Sequence, residues 1–561
     1  MGGSGSGRGA RRAAAAIIAL AVVLSAHASC QLSPPNDEFS RINTGLAYLR
    51  LGDFRMDFAT PPLAKYLVAA PLLTKEIDLA LDHPAWKNID DIPWIAAVAY
   101  EAGNDPVEML RLARPPMLLL LLGLGVLVFT WSRRLYGPSA AVLSTALFAL
   151  TPNTLAYAWF ANMDFALGLT LPLAIFTLWR FLKSPTRGRL ILCGISLGAA
   201  FTTHLASISL GLIFPCLLIL AALFGPRPAG PAVFAKLAMH RGRHLLVSFL
   251  AMGLIALLFV WGVYRFEVNP LLNHAPKLAE KTAWIIDHAP GSLAFRVHLA
   301  REALSFPVPG PTFIRAVLNV LRRTGELGTQ GHWWFYIAVV MAKVPLPALI
   351  LFGWAIFRRP RKPGYDEWFL LVPAAILFFL ASRSVYQSGL RNIYPLIPLL
   401  AIYAGRILRS PLPPARDAAA GAGTRTAPLA AAFCIWLALI AFSVHPHHLS
   451  YYNALVGGPR GGIWAAVGSP DLDWGQGLVG LGRTMEKLGV EEVYLASPGQ
   501  ARASFYGARV RRLRFRDFEH PEDLAPGVYA VSTTYVRRLG WLRKIEPIGR
   551  VGNVLWLYRL G

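Results

Sequence analysis

Residues 114–131 read RPPMLLLLLGLGVLVFTW, eighteen residues with one charge, at the leading end. At 1.5 Å of rise per residue such a helix nearly spans the hydrocarbon of a bilayer. Comparable runs recur along the chain. Reading outward from this one, the candidate spans are 13–30, 114–131, 137–158, 160–180, 190–207, 209–225, 245–264, 333–356, 368–381, 392–408 and 427–445, about eleven in all. The 561 residues are 55% hydrophobic and only 15% charged, with a mean hydropathy of +0.45. These values exclude an ordinary soluble domain and fit a polytopic α-helical membrane protein.

The formal charge of +24 does not imply a nucleic-acid partner. Many of the basic residues cluster in short connections between apolar runs, and no zinc-finger spacing or separate basic domain is present. Six such clusters, from Arg8, Arg11 and Arg12 through Arg406, Arg409, Arg416 and Arg425, fall on one side of an eleven-span topology. By the positive-inside rule that side is cytoplasmic. Segments 31–113 and 265–332 then face outward, as does everything from residue 446.

The expected organisation is therefore a disordered cytoplasmic N-terminus (1–12), a transmembrane domain (13–445) with large outer loops 31–113 and 265–332, and an extracytoplasmic α/β domain (446–561). The first apolar segment resembles a signal peptide and is read as a retained helix, with cleavage after Ala28 as the alternative. Leu63 to Leu73 reads as an interfacial helix, and 410–426 as a flexible loop. In the tail, 474–488 forms an amphipathic helix with Leu478, Leu481 and Met485 on one face. Strand candidates follow at 490–496, 527–532 and 554–559. No GxGxxG or P-loop is present. Cys30, Cys193, Cys216 and Cys434 show neither a disulfide framework nor metal-ligand spacing.

Charged residues beside the apolar runs are the candidates for chemistry. Asp37-Glu38 follows the first span, and Thr60-Pro61-Pro62-Leu63-Ala64-Lys65 lies further along the same loop. These join Arg114, Leu150-Thr151-Pro152-Asn153, Asp164, Gly331-His332-Trp333-Trp334, Lys343-Val344-Pro345, Gly389-Leu390-Arg391-Asn392, His447-His448-Leu449-Ser450-Tyr451-Tyr452-Asn453 and Leu472-Asp473-Trp474-Gly475-Gln476. In this order the chain resembles bacterial polyprenyl-phosphate-dependent glycosyltransferases of the GT-C fold, glycosyltransferase family 39-like, a group that includes protein O-mannosyltransferase and aminoarabinose transferase relatives. The resemblance spans nearly the whole chain. Thr60 departs from it, where many relatives carry His or Lys.

The resemblance implies an inverting transfer of a sugar from a polyprenyl-phosphate donor to an envelope acceptor: a protein hydroxyl, a glycolipid or a polysaccharide. The site would face outward from a bacterial inner or plasma membrane. It assigns the catalytic base to Asp37, with Glu38 orienting the acceptor, tuning Asp37 or helping to hold a metal. Capping of a juxtamembrane helix is the structural alternative for the pair. Arg391, Lys65 and Arg114 are the cations for the donor phosphate, although Arg391 and Lys65 could snorkel and Arg114 could pair with Asp164. Asp164, Lys343, Asp473 and Gln476 are acceptor or structural support. Lys343, about ten residues into a span, needs an acidic or phosphate partner. A divalent metal is a possible cofactor, with Asp37, Glu38, His445, His447 and His448 as weak ligands. Two other classes stay open: a secondary transporter or lipid flippase, and a noncatalytic envelope-assembly subunit.

Overall fold

The computed structural model describes residues 3–225, 241–271, 276–288, 290–326, 331–357, 364–384, 387–409, 420–464, 471–520, 522 and 524–560. Six helices among them are long and apolar enough to cross a membrane: Gly7–Gln31, Pro106–Tyr136, Met163–Lys183, Leu205–Phe224, Gly242–Val263 and Tyr365–Arg383. Shorter apolar helices include Pro138–Ala149, Leu346–Phe357, Leu396–Leu408 and Pro428–Ser443. The chain is a polytopic α-helical membrane protein with a small C-terminal β-sheet domain.

Two of the expected spans are corrected, each broken at a proline. The run expected at 137–158 is broken after Ala149, and Pro152 opens a second short helix, Pro152–Tyr157. The run expected at 333–356 is broken before Pro345. Phe335–Lys343 ends there because Val344, preceding a proline, is extended (φ −82°, ψ 132°). The N-terminus is corrected too. Residues 3–12, expected to be disordered, belong to the helix Gly3–Gln31, where alanine and arginine from Ala10 onward favour helix. Most of the loop expected at 410–426 lies outside the described residues, and its end belongs to the helix Ala420–Ser443.

The chain forms two compact units. The first comprises Met1–Arg41, Ala99–Pro172 and Gln330–Gly561; the second comprises Ile42–Val98 and Leu173–Thr329. The helices of the first unit approach closely at small residues. A Cβ on Gly125 would meet Ile18 at 2.9 Å, and one on Gly168 would meet the Tyr394 ring at 2.5 Å. Tyr394 is buried and donates to Thr154 Oγ1 at 3.1 Å.

The tail of this unit is a five-stranded sheet. The strands among the described residues are β1 (Val268–Pro270) and β2 (Pro307–Pro309), an antiparallel pair in the second unit, then β3 (Val493–Ala496), β4 (Val510–Arg512), β5 (Gly527–Ser532), β6 (Gly549–Val551) and β7 (Leu555–Leu560). The sheet order is β4-β3-β5-β7-β6. β3 is parallel to β4 and β5, and β7 is antiparallel to β5 and β6. Leu478, Leu481 and Met485 of the helix Leu478–Leu488 are buried against Leu495, Ala530 and Leu557.

The second unit holds the helix Leu63–Ala69, continued by the 3-10 turn Ala70–Thr74. Ala64, Lys65, Val68, Ala69 and Leu72 are buried, so one face of this expected interfacial helix is packed within protein. Close packing at Gly168 carries a stability prediction. Gly168→Val forces its side chain into Tyr394 and is expected to cost about 1–3 kcal/mol. Thermal unfolding in detergent should show a lowered Tm; an unchanged Tm would contradict this packing.

Candidate functional site

The first outer loop is fastened to the tail by short polar contacts. Ser33 Oγ donates to the Gly475 carbonyl at 2.8 Å and accepts from Leu478 N at 2.9 Å. Ser33 N donates to Gln476 O at 3.2 Å, and Asn36 N to Trp474 O at 2.9 Å. Asn36 Oδ1 accepts from Gln500 N at 2.9 Å. The turn on the other side is itself fixed. Asp473 accepts from Gly475 N at 2.7 Å and from Ser497 Oγ at 3.2 Å, and Gln476 accepts from Trp474 N at 2.6 Å. Gly475 has φ 93°, and a Cβ there would lie 2.9 Å from Gly499 Cα, so only glycine fits. Asp473 and Gln476 are both buried and serve as the supports of this junction. Burial pushes the Asp473 carboxyl above its ordinary range.

Asp37 comes one residue after that junction. Its side chain is 62% exposed, and Oδ2 lies 3.9 Å from Arg391 Nη1. Arg391 is 27% exposed and sits with its guanidinium carbon 4.9 Å from the centre of the Trp474 ring. It lies two residues after Gly389, whose φ of 85° leads into the 3-10 turn Leu390–Ile393. Burial works against the Arg391 charge, but Asp164, Asp471 and Asp37 outweigh it and raise the pKa above the ordinary arginine value. Asp164 lies in the first turn of Met163–Lys183, where Asn162 Oδ1 accepts from Asp164 N at 2.9 Å and Phe165 N at 3.2 Å. Trp474 stacks with Tyr157, their rings 6.0 Å apart. Asp37, Arg391 and Trp474 thus form one partly open cluster carrying an acid and a cation, with the Asp164 charge acting on Arg391.

Asp471 was not among the sequence candidates. It is buried, and Oδ2 accepts from Leu390 N at 2.7 Å and from Tyr157 Oη at 3.2 Å. It thereby fixes the turn that carries Arg391. Lys343 is buried beside it. Its Nζ donates to the Asp471 carbonyl at 2.5 Å and the Leu449 carbonyl at 2.9 Å, and lies 4.2 Å from the Tyr452 ring centre. Lys343 thus meets Asp471 through its main-chain carbonyl, while the Asp471 carboxylate is turned to Leu390 and Tyr157. A lysine inside a span calls for a nearby acid, and that was the available signal.

Three assignments meet a different arrangement in the structure. Glu38, assigned with Asp37 to catalysis, is fully buried and forms a bidentate pair with Arg114, at 2.9 Å from Nε and 2.8 Å from Nη2. Glu38 also accepts from Ala161 N at 3.2 Å. Arg114, assigned to the donor phosphate, donates in addition to the carbonyls of Ser29 and Leu32 and lies over the Trp159 ring. Its carboxylate partner is Glu38, not Asp164, and the pair holds the first loop to two helices. The metal grouping is the third. His27 Nδ1 and His445 Nε2 are 2.6 Å apart, and the His445 and His448 rings are 5.1 Å apart. Yet among the described residues no three His, Cys, Asp or Glu side chains converge as metal ligands. Burial pushes His447 down to about 4 and His448 down to about 3, leaving both neutral at pH 7.

Lys65 belongs to the second unit. It is fully buried and paired with Asp57 at 2.9 Å.

A family model described as dolichyl-phosphate-mannose-protein mannosyltransferase matches residues 92–227. No curated protein matches the chain. Among solved structures, the chain is similar to ArnT from Cupriavidus metallidurans bound to undecaprenyl phosphate, at 14% identity over 97% of each chain, with a TM-score of 0.43. It is also similar to the oligosaccharyltransferase AglB from Archaeoglobus fulgidus in complex with an inhibitory peptide and a dolichol-phosphate, at 14% identity. That match covers 76% of this chain and 55% of the other, with a TM-score of 0.43.

The two neighbouring acids separate experimentally. Arg114→Ala strands the buried Glu38 carboxylate and should cost about 3–5 kcal/mol. Asp37→Asn should leave thermal unfolding in detergent unchanged. Equal loss in both variants would contradict the division into a buried structural acid and an exposed one.

Proposed function

We propose that the chain is an inverting GT-C glycosyltransferase that moves a sugar from a polyprenyl phosphate to a hydroxyl acceptor of the cell envelope. The observation that carries this reading is the half-open Asp37–Arg391 pair. It joins a carboxylate free to take a proton to a cation able to meet a phosphate. The order of motifs along the chain and the family-model match over residues 92–227 support the choice of reaction. The distribution of lysine and arginine supports an extracytoplasmic face for the site and the tail, in the inner or plasma membrane of a bacterium.

In this mechanism the Asp37 carboxylate accepts the proton of the acceptor hydroxyl as its oxygen attacks the anomeric carbon. The bond from that carbon to the phosphate oxygen breaks on the opposite face, inverting the centre. The bonding pair goes to the phosphate, whose growing charge faces Arg391. Trp474 packs against the Arg391 guanidinium and Asp471 fixes the turn that carries it, while the negative charge of Asp164 favours the cation. Asp164 is also the second acid available to orient the acceptor. Lys65 is assigned a phosphate contact on the resemblance alone.

The test is transfer of labelled sugar from short-chain polyprenyl-phosphate hexoses into an envelope extract. Asp37→Asn should lose on the order of 10²-fold or more in turnover while still binding the donor. Arg391→Ala should weaken donor binding and turnover together. Full turnover by Asp37→Asn would remove the base assignment, and coupled ion uptake without transfer in proteoliposomes would favour a transporter.

A further inference from the structure

Lys65 is the most enclosed cation among the described residues of the second unit, with 0% side-chain exposure. Its Nζ lies 2.9 Å from Asp57 Oδ2, donates to the Asp57 carbonyl at 2.8 Å and to Tyr48 Oη at 3.2 Å, and sits 4.7 Å from the Tyr48 ring centre. These contacts are of two kinds. The carbonyl and the tyrosine are anchored: Asp57 N donates to Asp91 Oδ1 at 3.1 Å, and Tyr48 Oη donates to the Met56 carbonyl. The Asp57 carboxylate reaches the surface. It is 16% exposed, and Thr60 Oγ1 donates to it at 3.1 Å.

We infer that the Asp57 carboxylate is a latch on Lys65, occupying the position that a phosphate monoester takes when it binds there. The inference rests on the reading that Lys65 contacts the polyprenyl phosphate. A carboxylate and a phosphate offer the same kind of acceptor oxygens to an ammonium group, and the phosphate carries the greater charge. Thr60 steadies the closed state. A latch closed about nine-tenths of the time weakens apparent affinity about tenfold.

The probe is undecaprenyl phosphate, titrated into the full chain in nanodiscs and followed by native mass spectrometry. Asp57→Asn should bind it several-fold more tightly, Thr60→Val should shift in the same direction by less, and Lys65→Met should bind more weakly. Unchanged or weaker binding by a folded Asp57→Asn, beside weakened binding by Lys65→Met, would overturn the latch and leave the phosphate contact standing. Unchanged binding by Lys65→Met would overturn both. If Asp57→Asn does not fold, Thr60→Val decides: tighter binding supports the latch, and equal or weaker binding overturns it.

Discussion

The site depends on the seam between Ser33-Asn36 and the turn 473–478. Ser33 and Gly475 are 442 positions apart in sequence yet joined at 2.8 Å. The seam presents Asp37 to Arg391 and sets Trp474 over the guanidinium. Buried hydrogen bonds with both partners satisfied are costly to break one side at a time, so this junction sets register as well as adding stability. The tail sheet contributes by holding the turn: Ser497, just past β3, bonds Asp473.

Charge within the first unit is divided by burial. Glu38–Arg114 is an ion pair inside the protein, where removing one partner leaves an uncompensated charge; Lys343 and Asp471 are buried too, joined through the Asp471 carbonyl. They brace the loop and the turn that flank the site. Asp37 is 62% exposed and its Arg391 contact is 3.9 Å long. Exposed pairs at that separation add little to stability, which leaves both groups available to a substrate. Adjacent acids in the sequence therefore carry different duties. Glu38 starts the helix Glu38–Leu51 and points into protein, whereas Asp37 stays at the open edge.

Much of this was legible in the sequence, for physical reasons that also mark where legibility ended. Apolar runs located the helices because a bilayer demands length and hydropathy together. Their interruptions at Pro152 and Pro345 needed the backbone geometry. The amphipathic helix with Leu478, Leu481 and Met485 and the strands β3, β5 and β7 followed from periodicity. β4 and β6 escaped because each is a three-residue edge strand containing arginine, with too little alternation to register. Asp37, Arg391 and Asp164 were reachable through their motifs. The Glu38–Arg114 pair was not, since no local spacing links residues 76 apart. Asp471 lies one residue before a motif that drew attention to Asp473, and only the fold shows which acid faces Lys343 and the Arg391 turn.

The most direct measurement is a cryo-EM structure of the full chain with undecaprenyl phosphate bound. The account expects phosphate density against the Arg391 guanidinium, with the Asp37 carboxylate facing the side from which an acceptor would approach. Phosphate density away from Arg391, with the Asp37–Arg391 pair undisturbed, would contradict it.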